Sequence, residues 1–448
     1  MRKYFIGAIL WIFVSFHCSG QDRILTLKEC IRIGLENNLV LKNSAQNVQK
    51  ATLGVSESRA RLLPIINGFG NFTNNVDRGA SVTDGSGMSA LLGIDMPYME
   101  TKGLKYVTSG GLKLSMPLYH QTLYTRISIA EKIRSLNNYA YEKAKEDLIV
   151  EISKIYYLAQ TSAEQISLIR ENIGRLEKLR DITRAYHENG VVLDIDVKRV
   201  NINLENLRVQ LDNSQAVYEQ QFNLLRYVLD LPPKERFTIE PVDASIQEDQ
   251  LLTGLSPHLY ELRMPELQTD IISENKKYIR SGYLPSLSLV SQLSYTNYTD
   301  KFRNYFHDHP SNRWYNGFYW GLSLNVPVFD GLSKRINIRK TEADLLQSQY
   351  NQENVQKNLQ VQYLNSVNDW SNNRRNYKKQ QDNHALAEEV YEVTLLKYKE
   401  GVASMSELLQ DEMVLSEAQS NYISALLNCK LSELTIRKLT RQLDTLSE

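Results

Sequence analysis

Apolar side chains recur along much of this chain in steps of three and four residues. Ile152, Ile155, Ala159, Ser162, Ile166, Ile169, Ile173 and Leu176 form one series. Val197, Val200, Leu204, Leu207 and Leu211 form a second, which resumes at Tyr218, Phe222, Leu225 and Leu229. A third runs through Leu408, Leu415, Ala418, Tyr422, Ala425 and Cys429. A mean step near 3.5 residues is the seam of a coiled coil, along which helices interlock. Residues 122–187 contain no proline, so one helix on the order of 100 Å long is expected there. Helical patterning also covers 39–62 and 260–283, and each stretch stops at a Leu-Pro pair, Leu63-Pro64 or Leu284-Pro285.

Elsewhere the period drops to two. Leu112, Leu114 and Met116 fall on one face of a strand, as do Leu322, Leu324 and Val326. Leu287, Leu289, Leu293 and Tyr295 repeat the pattern, whereas the Asn- and Gly-rich stretch after Pro64 gives a weaker signal. Residues 77–109 and 299–317 read as polar, Gly/Ser-rich or aromatic loops between strands. Each half of the chain therefore offers two strand candidates, and the chain offers four.

The halves resemble each other over a period of about 210–220 residues. Arg61-Leu-Leu-Pro64-Ile65 corresponds to Gly282-Tyr-Leu-Pro285-Ser286, and Leu112-Lys-Leu-Ser-Met-Pro117-Leu-Tyr119 to Leu322-Ser-Leu-Asn-Val-Pro327-Val-Phe329. Tyr186-His-Glu-Asn-Gly190-Val191 corresponds to Tyr398-Lys-Glu-Gly401-Val402 with one residue deleted. Leu41 stands as far before Pro64 as Leu262 before Pro285, and the Pro117–Gly190 and Pro327–Gly401 intervals differ by one residue. Four coincidences in the same order indicate a tandem duplication. The expected organisation is a signal peptide over 1–20, a first repeat over 21–230, a connecting segment over 231–258 and a second repeat over 259–448. Each repeat reads as helix, two strands and long helical hairpin.

The signal-peptide expectation rests on Arg2 and Lys3, the apolar run Tyr4–Phe16, and Ser19-Gly20 as a cleavage site before Gln21. Cys18 raises a lipoprotein alternative, but Phe16 and His17 occupy positions where small residues are needed. After Gly20 no stretch approaches the length of an apolar helical span. Lys and Arg number 52, as do Asp and Glu, so net charge gives no reason to expect nucleic acid. Cys30 and Cys429 remain after export. Continuous helices would put them at similar heights, about 50 Å below the strands and about 42 Å above the helical turn. A disulfide and two separate buried thiols both stay open.

Long coiled-coil helices together with strands have a physical consequence. Only helices and closed barrels cross a bilayer, because lipid offers backbone N–H and C=O groups no partner. Four strands cannot close alone, since single-chain barrels begin at about eight. Several copies would have to pool their strands. Tyr295, Tyr298, Trp314, Tyr315, Phe318, Tyr319 and Trp320 cluster where one interface belt would sit, and Tyr119, Tyr283 and Phe329 suit the opposite belt.

Thr26-Leu-Lys-Glu-Cys-Ile-Arg-Ile-Gly-Leu-Glu-Asn-Asn38 resembles the opening of TolC-like outer-membrane efflux proteins, with Leu39 where that family has proline. Tyr283-Leu-Pro-Ser-Leu287, Val326-Pro-Val-Phe-Asp-Gly331 and the two Tyr-to-Gly turns extend the resemblance over essentially the whole mature chain. The resemblance implies a mixed fold: a homotrimer with a twelve-stranded transmembrane β-barrel, and a long α-helical coiled-coil barrel projecting into the periplasm. It implies an exit duct with porin-like activity, no cofactor, contact with outer-membrane lipid, and as partners a periplasmic adaptor and an inner-membrane transporter or type I secretion machine. It also assigns residues. Gly190, Val191, Gly401 and Val402 would form adaptor-docking tips, and Arg184, Asp194, Asp196, Tyr398 and Glu407 a periplasmic entrance or gate. Gln410 and Ala403 depart from the family's usual entrance acid and turn arginine.

An enzyme would need reactive machinery. The chain contains no Gly-x-x-x-x-Gly-Lys-Ser/Thr, His-Glu-x-x-His, Gly-x-Ser-x-Gly or Cys-x-x-Cys motif. His307 and His309 flank Asp308, but no third ligand cluster lies near, and a solvated loop is the plainer reading, so no metal site is expected. The competing reading is a periplasmic coiled-coil scaffold without a channel, which accounts for the heptads but not for the strands.

Overall fold

A computed structural model describes residues 23–95, 97–243, 253–306 and 312–446. The expected signal peptide and the His307–His309 pair lie outside the described residues. In chain order, strand β1 (Arg23–Leu25) is followed by helices α1 (Leu27–Asn37) and α2 (Leu39–Ala60). Strands β2 (Ile65–Asn74) and β3 (Ala80–Asp84), helix α3 (Ser86–Leu92), and strands β4 (Tyr98–Lys102) and β5 (Tyr106–Tyr119) come next. Then follow α4 (Gln121–Glu188), α5 (Asp194–Val228), β6 (Phe237–Ile239) and α6 (Tyr260–Ser281). Strands β7 (Ser286–Thr299) and β8 (Trp314–Asn325) and helices α7 (Ser333–Lys399) and α8 (Met405–Thr440) complete the order.

Local chemistry sets the boundaries. Thr26 caps α1: its hydroxyl accepts from the Glu29 N–H at 3.1 Å, and the Glu29 carboxylate accepts from the Thr26 N–H at 3.2 Å. This reciprocal box satisfies two N–H groups that no helical carbonyl can reach. Asn38 then restarts the helix, its side-chain oxygen accepting from the N–H groups of Val40 and Leu41. The proline-free stretch forms the 68-residue α4, and its repeat partner forms the 67-residue α7. No described helix is long and apolar enough to cross a membrane.

Contacts divide the chain into two units that cut across the sequence repeat. One unit takes its described residues from 1–45, 141–260 and 356–448, the other from 46–140 and 261–355. The first is helical with a small parallel pair, β1 on β6. Its cores are the expected seams: Ile152, Ile155, Ala159, Phe222, Leu225 and Leu229 in one cluster, Leu176, Val200, Leu204, Leu207, Leu408 and Leu415 in another. Cys30 is buried in the first of these and Cys429 in a third cluster with Tyr377 and Leu426. No disulfide joins them.

The second unit carries a four-stranded antiparallel sheet in the order β2-β5-β7-β8. The weak strand after Pro64 is therefore a full one. The two segments expected as loops also carry regular structure. Residues 77–109 contain the β3–β4 hairpin, α3 and the start of β5, and 299–317 contain a 3-10 turn, Phe302–Phe306, and the start of β8. Val326 falls beyond the end of β8, next to Pro327, which has no N–H to give a ladder. Pro117 sits in β5 at a break in register.

Residues paired across neighbouring strands share a face. Ile66, Leu114, Ser291 and Trp320 make one such row, and Gly68, Leu112, Leu293 and Phe318 the next. Met116, Leu289 and Leu322 follow. The opposite face carries Asn67, Lys113, Gln292 and Tyr319 in one row, with Ser115, Ser288 and Ser323 among its other members. One face is thus mostly apolar and the other mostly polar. Close approach of the strands is allowed by Gly111, where an added Cβ would come 2.0 Å from the Leu293 carbonyl oxygen. The aromatic residues expected in one belt are split by this geometry: Tyr295, Trp314, Phe318 and Trp320 lie on the apolar face, Tyr298, Tyr315 and Tyr319 on the other. Alternation along a strand separates neighbours such as Phe318 and Tyr319, which a count along the sequence groups together.

Candidate functional site

The two helical hairpins of the first unit end in turns of the same construction. Gly190 has φ +75° and Gly401 φ +76°, the left-handed region that side chains with a Cβ disfavour. The Gly190 N–H donates to the His187 carbonyl at 2.9 Å, and the Val191 N–H to the Tyr186 carbonyl at 2.8 Å. At the other turn the Gly401 N–H donates to Tyr398 at 3.0 Å and the Val402 N–H to Lys397 at 2.8 Å. This paired pattern closes the last carbonyls of a helix and reverses the chain. Val191 and Val402 emerge 69% and 76% exposed.

The hydrogen bonds also correct the sequence register. Pairing Tyr186 with Tyr398 needed a deletion, but in the frame of the turns Tyr398 matches His187. One residue turns a side chain by about 100° around the axis, and the consequence is visible. Tyr398 is 5% exposed, packed into the Leu176–Leu408 cluster with its hydroxyl 3.4 Å from the Thr183 hydroxyl. Burial pushes its phenol above the usual range. Tyr186 instead stays partly exposed and donates to the Lys399 carbonyl at 3.2 Å. These two contacts tie the end of α4 to the end of α7.

Beyond the turns, α5 and α8 start differently. Ser404 caps α8, its hydroxyl accepting from the Glu407 N–H at 3.2 Å, whereas Leu193 occupies the matching position before α5 without any side-chain cap. Acids sit in both first turns, Asp194 and Asp196 in α5 and Glu407 in α8, where negative charge suits the N-terminal helix dipole. Asp194 is held below the usual carboxylate range by a 2.6 Å bond from Lys198. Arg199, not anticipated from the sequence, contacts Asp196 at 3.3 Å and donates to the Ser406 hydroxyl at 3.2 Å, bridging α5 to α8. Its spacing from Asp196, one helical turn, was the available signal.

A cleft of about 680 Å³ opens between the turns, lined by Val191, Asp196, Arg199, Tyr398, Gly401 and neighbours. Of the nine residues expected at the tips, four line this cleft: Val191, Asp196, Tyr398 and Gly401. Arg184, Asp194 and Glu407 are exposed outside its lining, as are Gly190 and Val402.

A second feature lies further along the same helices. Glu412 is buried, and burial pushes its carboxyl above the usual range while Arg175 pulls it back. Arg175 also stands over the Tyr391 ring at 5.7 Å, and Asn172 donates to Gln419 at 2.7 Å. A polar cluster is thus enclosed within the coiled-coil seam. Among the described residues no group of three or more His, Cys, Asp or Glu is arranged to hold a metal.

The family model described as outer membrane efflux protein matches residues 31–229 and 260–440. The chain is 23% identical over 318 residues to the outer membrane protein TolC of Vibrio cholerae serotype O1, covering 68% of this chain and 65% of that relative's length. It is 20% identical to the outer membrane protein TolC of Escherichia coli K12 over 98% of this chain and 87% of that protein. A solved structure of CusC, described as undergoing conformational changes that accompany transmembrane channel formation, superposes with a TM-score of 0.74. It does so at 18% identity, over 92% of this chain and 91% of that one.

Proposed function

Because the chain belongs to the outer membrane efflux protein family, we propose that it is the outer-membrane exit duct of a tripartite efflux pump or type I secretion system. The observation that carries this reading is the unlike pair of faces on the four-stranded sheet. Phe318 and Trp320 stand 68% and 69% exposed on the apolar side. In water such a patch is a liability; in a bilayer it is the expected outer wall of a barrel, with the polar side facing a lumen.

The strand order supplies the stoichiometry. Strands β2 and β7 run away from the helices that precede them, and β5 and β8 run back toward the helices that follow, so the sheet alternates along its width. Its edges, β2 and β8, run in opposite directions. The β8 of one copy can therefore pair with the β2 of the next without interrupting the antiparallel order. Open edges do not persist in lipid, and three copies give twelve strands, within the known range of barrels. The long helices of three chains then form a tube on the periplasmic side.

The duct is passive, and the driving energy comes from an inner-membrane transporter joined through a periplasmic adaptor. Exposed Val191 and Val402 on rigid, glycine-closed turns suit apolar docking by adaptor hairpins, with Gly190 and Gly401 holding the turns. Asp196 and Tyr398, tied to Arg199 and Thr183, are the groups best placed to hold the entrance between hairpins, and Asp194, Glu407 and Arg184 supply charge around it. A coiled-coil scaffold would leave the two-faced sheet without a purpose. The test is oligomeric state and conductance: detergent-extracted protein should be trimeric by light scattering and give discrete steps in a planar bilayer. A monomer without conductance overturns the reading.

A further inference from the structure

At the end of the sheet away from the helix connections, the chain does not leave β7 as an open loop. Asp300 pairs with Arg78 at 2.8 Å and accepts from the Lys105 N–H at 3.2 Å. The 3-10 turn Phe302–Phe306 then folds back onto the sheet. The face it covers is fixed by contacts. The Tyr305 hydroxyl lies 2.8 Å from that of Thr108, and Phe302 packs edge-on to Phe72 and Tyr106, with centroids 6.0 and 5.8 Å away. Thr108 pairs with Phe72 and with Asn297, in the same alternation as Leu112, Leu114 and Leu293. The turn therefore sits on the apolar face, not over the polar one.

This placement changes what that face presents. Asn297 and Thr299, polar residues that would interrupt it, are 0% and 1% exposed, the Asn297 amide donating to Asn312 and to the Arg313 carbonyl and the Thr299 hydroxyl to the Lys301 carbonyl. In their place the turn offers Phe302 and Phe306, the latter 72% exposed and edge-on to the former at 5.7 Å. Lys301 and Arg303, on either side of Phe302, are exposed as well. Aromatic rings at the apolar boundary with cations beside them match the chemistry of a lipid interface, where rings sit at headgroup depth and cations meet phosphate.

We propose that Phe302–Phe306 is a membrane anchor that inserts Phe302 and Phe306 at the headgroup boundary of the outer leaflet and sets Lys301 against lipid phosphates. The inference rests on the exit-duct reading above, because continuity with the lipid-facing side of the sheet identifies the occupant. The anchor fixes the depth of the barrel in the membrane.

The full-length variant F306C, labelled with an environment-sensitive fluorophore and reconstituted in vesicles of phosphatidylethanolamine and phosphatidylglycerol, tests this directly. A second variant, L322C, serves as the reference within the strand. The expected result is at least twofold quenching at position 306 by a headgroup-attached nitroxide lipid, with little quenching by aqueous iodide. L322C should be quenched by an acyl-chain nitroxide. Lipid quenching at 322 with iodide quenching at 306 overturns the anchor and leaves the duct standing. Absence of lipid quenching at both positions overturns the duct and the anchor with it. Efficient crosslinking from position 306 to a neighbouring copy assigns the turn to a subunit contact and also overturns the anchor.

Discussion

The helical unit and the sheet unit use apolar side chains in opposite ways. In the helices Leu176, Leu204, Leu225 and Leu408 are hidden by the chain's own neighbours, at most 2% exposed. In the sheet Leu322, Leu324, Phe318 and Trp320 belong to one well-ordered face, yet each is more than half exposed. Composition alone does not distinguish them. The first set excludes water within one chain, and the second stays uncovered within one chain. A residue's apolarity thus says that water is avoided, and only the surrounding geometry says what replaces it.

The largest expected effect sharpens the helical side of the contrast. Leu204→Ala or Leu176→Ala should cost about 2–5 kcal/mol, because a fully packed site collapses poorly around the missing methyls. Denaturant unfolding followed by helical circular dichroism measures it. A loss comparable to that of an exposed position would mean that these seams are not cores.

On the sheet side, Leu322→Arg should lower the stability of the bilayer-inserted protein by about 2–4 kcal/mol if the position is near midplane. Leu322→Ala, which keeps the face apolar, should matter much less. Urea titration of protein folded into liposomes separates the two. Equal stability of Leu322→Arg and the parent would break the contrast.

Smaller effects belong to the turns. Ser404→Ala should cost about 1 kcal/mol by removing the cap of α8, and Leu193→Ser should gain a similar amount by supplying α5 with the cap it lacks. Thermal unfolding of both variants would show shifts of opposite sign. Shifts of the same sign would contradict the assigned helix starts.

Glu412 yields the smallest effect, and one that depends on pH. Its carboxyl is raised in the folded state by burial, so the folded protein holds the proton more tightly than the unfolded chain. That contribution to stability is complete below the ordinary Glu value of 4.5 and is lost as pH rises through the raised folded value. Glu412→Gln should flatten this slope and increase the melting temperature at neutral pH. An unchanged pH profile in the variant would show that Glu412 is ionised at no cost in the seam.

Much of this architecture was legible in the sequence, and what was missed has physical reasons. Heptad steps marked α4, α5 and α8 because burial in a seam leaves a period that composition cannot hide. The strand β2 was faint because Asn and Gly dilute its alternation, although pairing with the whole of β5 secures it. The hairpin β3–β4 and the turn Phe302–Phe306 carry no periodic pattern long enough to read. At the tips the glycines and their roles in reversal were evident, but matching tyrosine with tyrosine concealed the frame. The hydrogen bonds around Gly190 and Gly401 decide that Tyr398 points inward and Tyr186 does not. The Arg199 contact to Ser406 joins helices far apart in sequence and leaves no pattern along the chain.

In the proposed duct one face of the sheet meets lipid and the other a water-filled lumen. Single-cysteine variants along β8 in membrane-embedded protein test it most directly, with labelling by a water-soluble and by a lipid-soluble reagent compared at each position. Labelling should alternate with a period of two. Tyr315, Tyr319 and Ser323 positions should react with the aqueous reagent, and Phe318, Trp320 and Leu322 positions with the lipid-soluble one. Uniform aqueous labelling along the strand would contradict it.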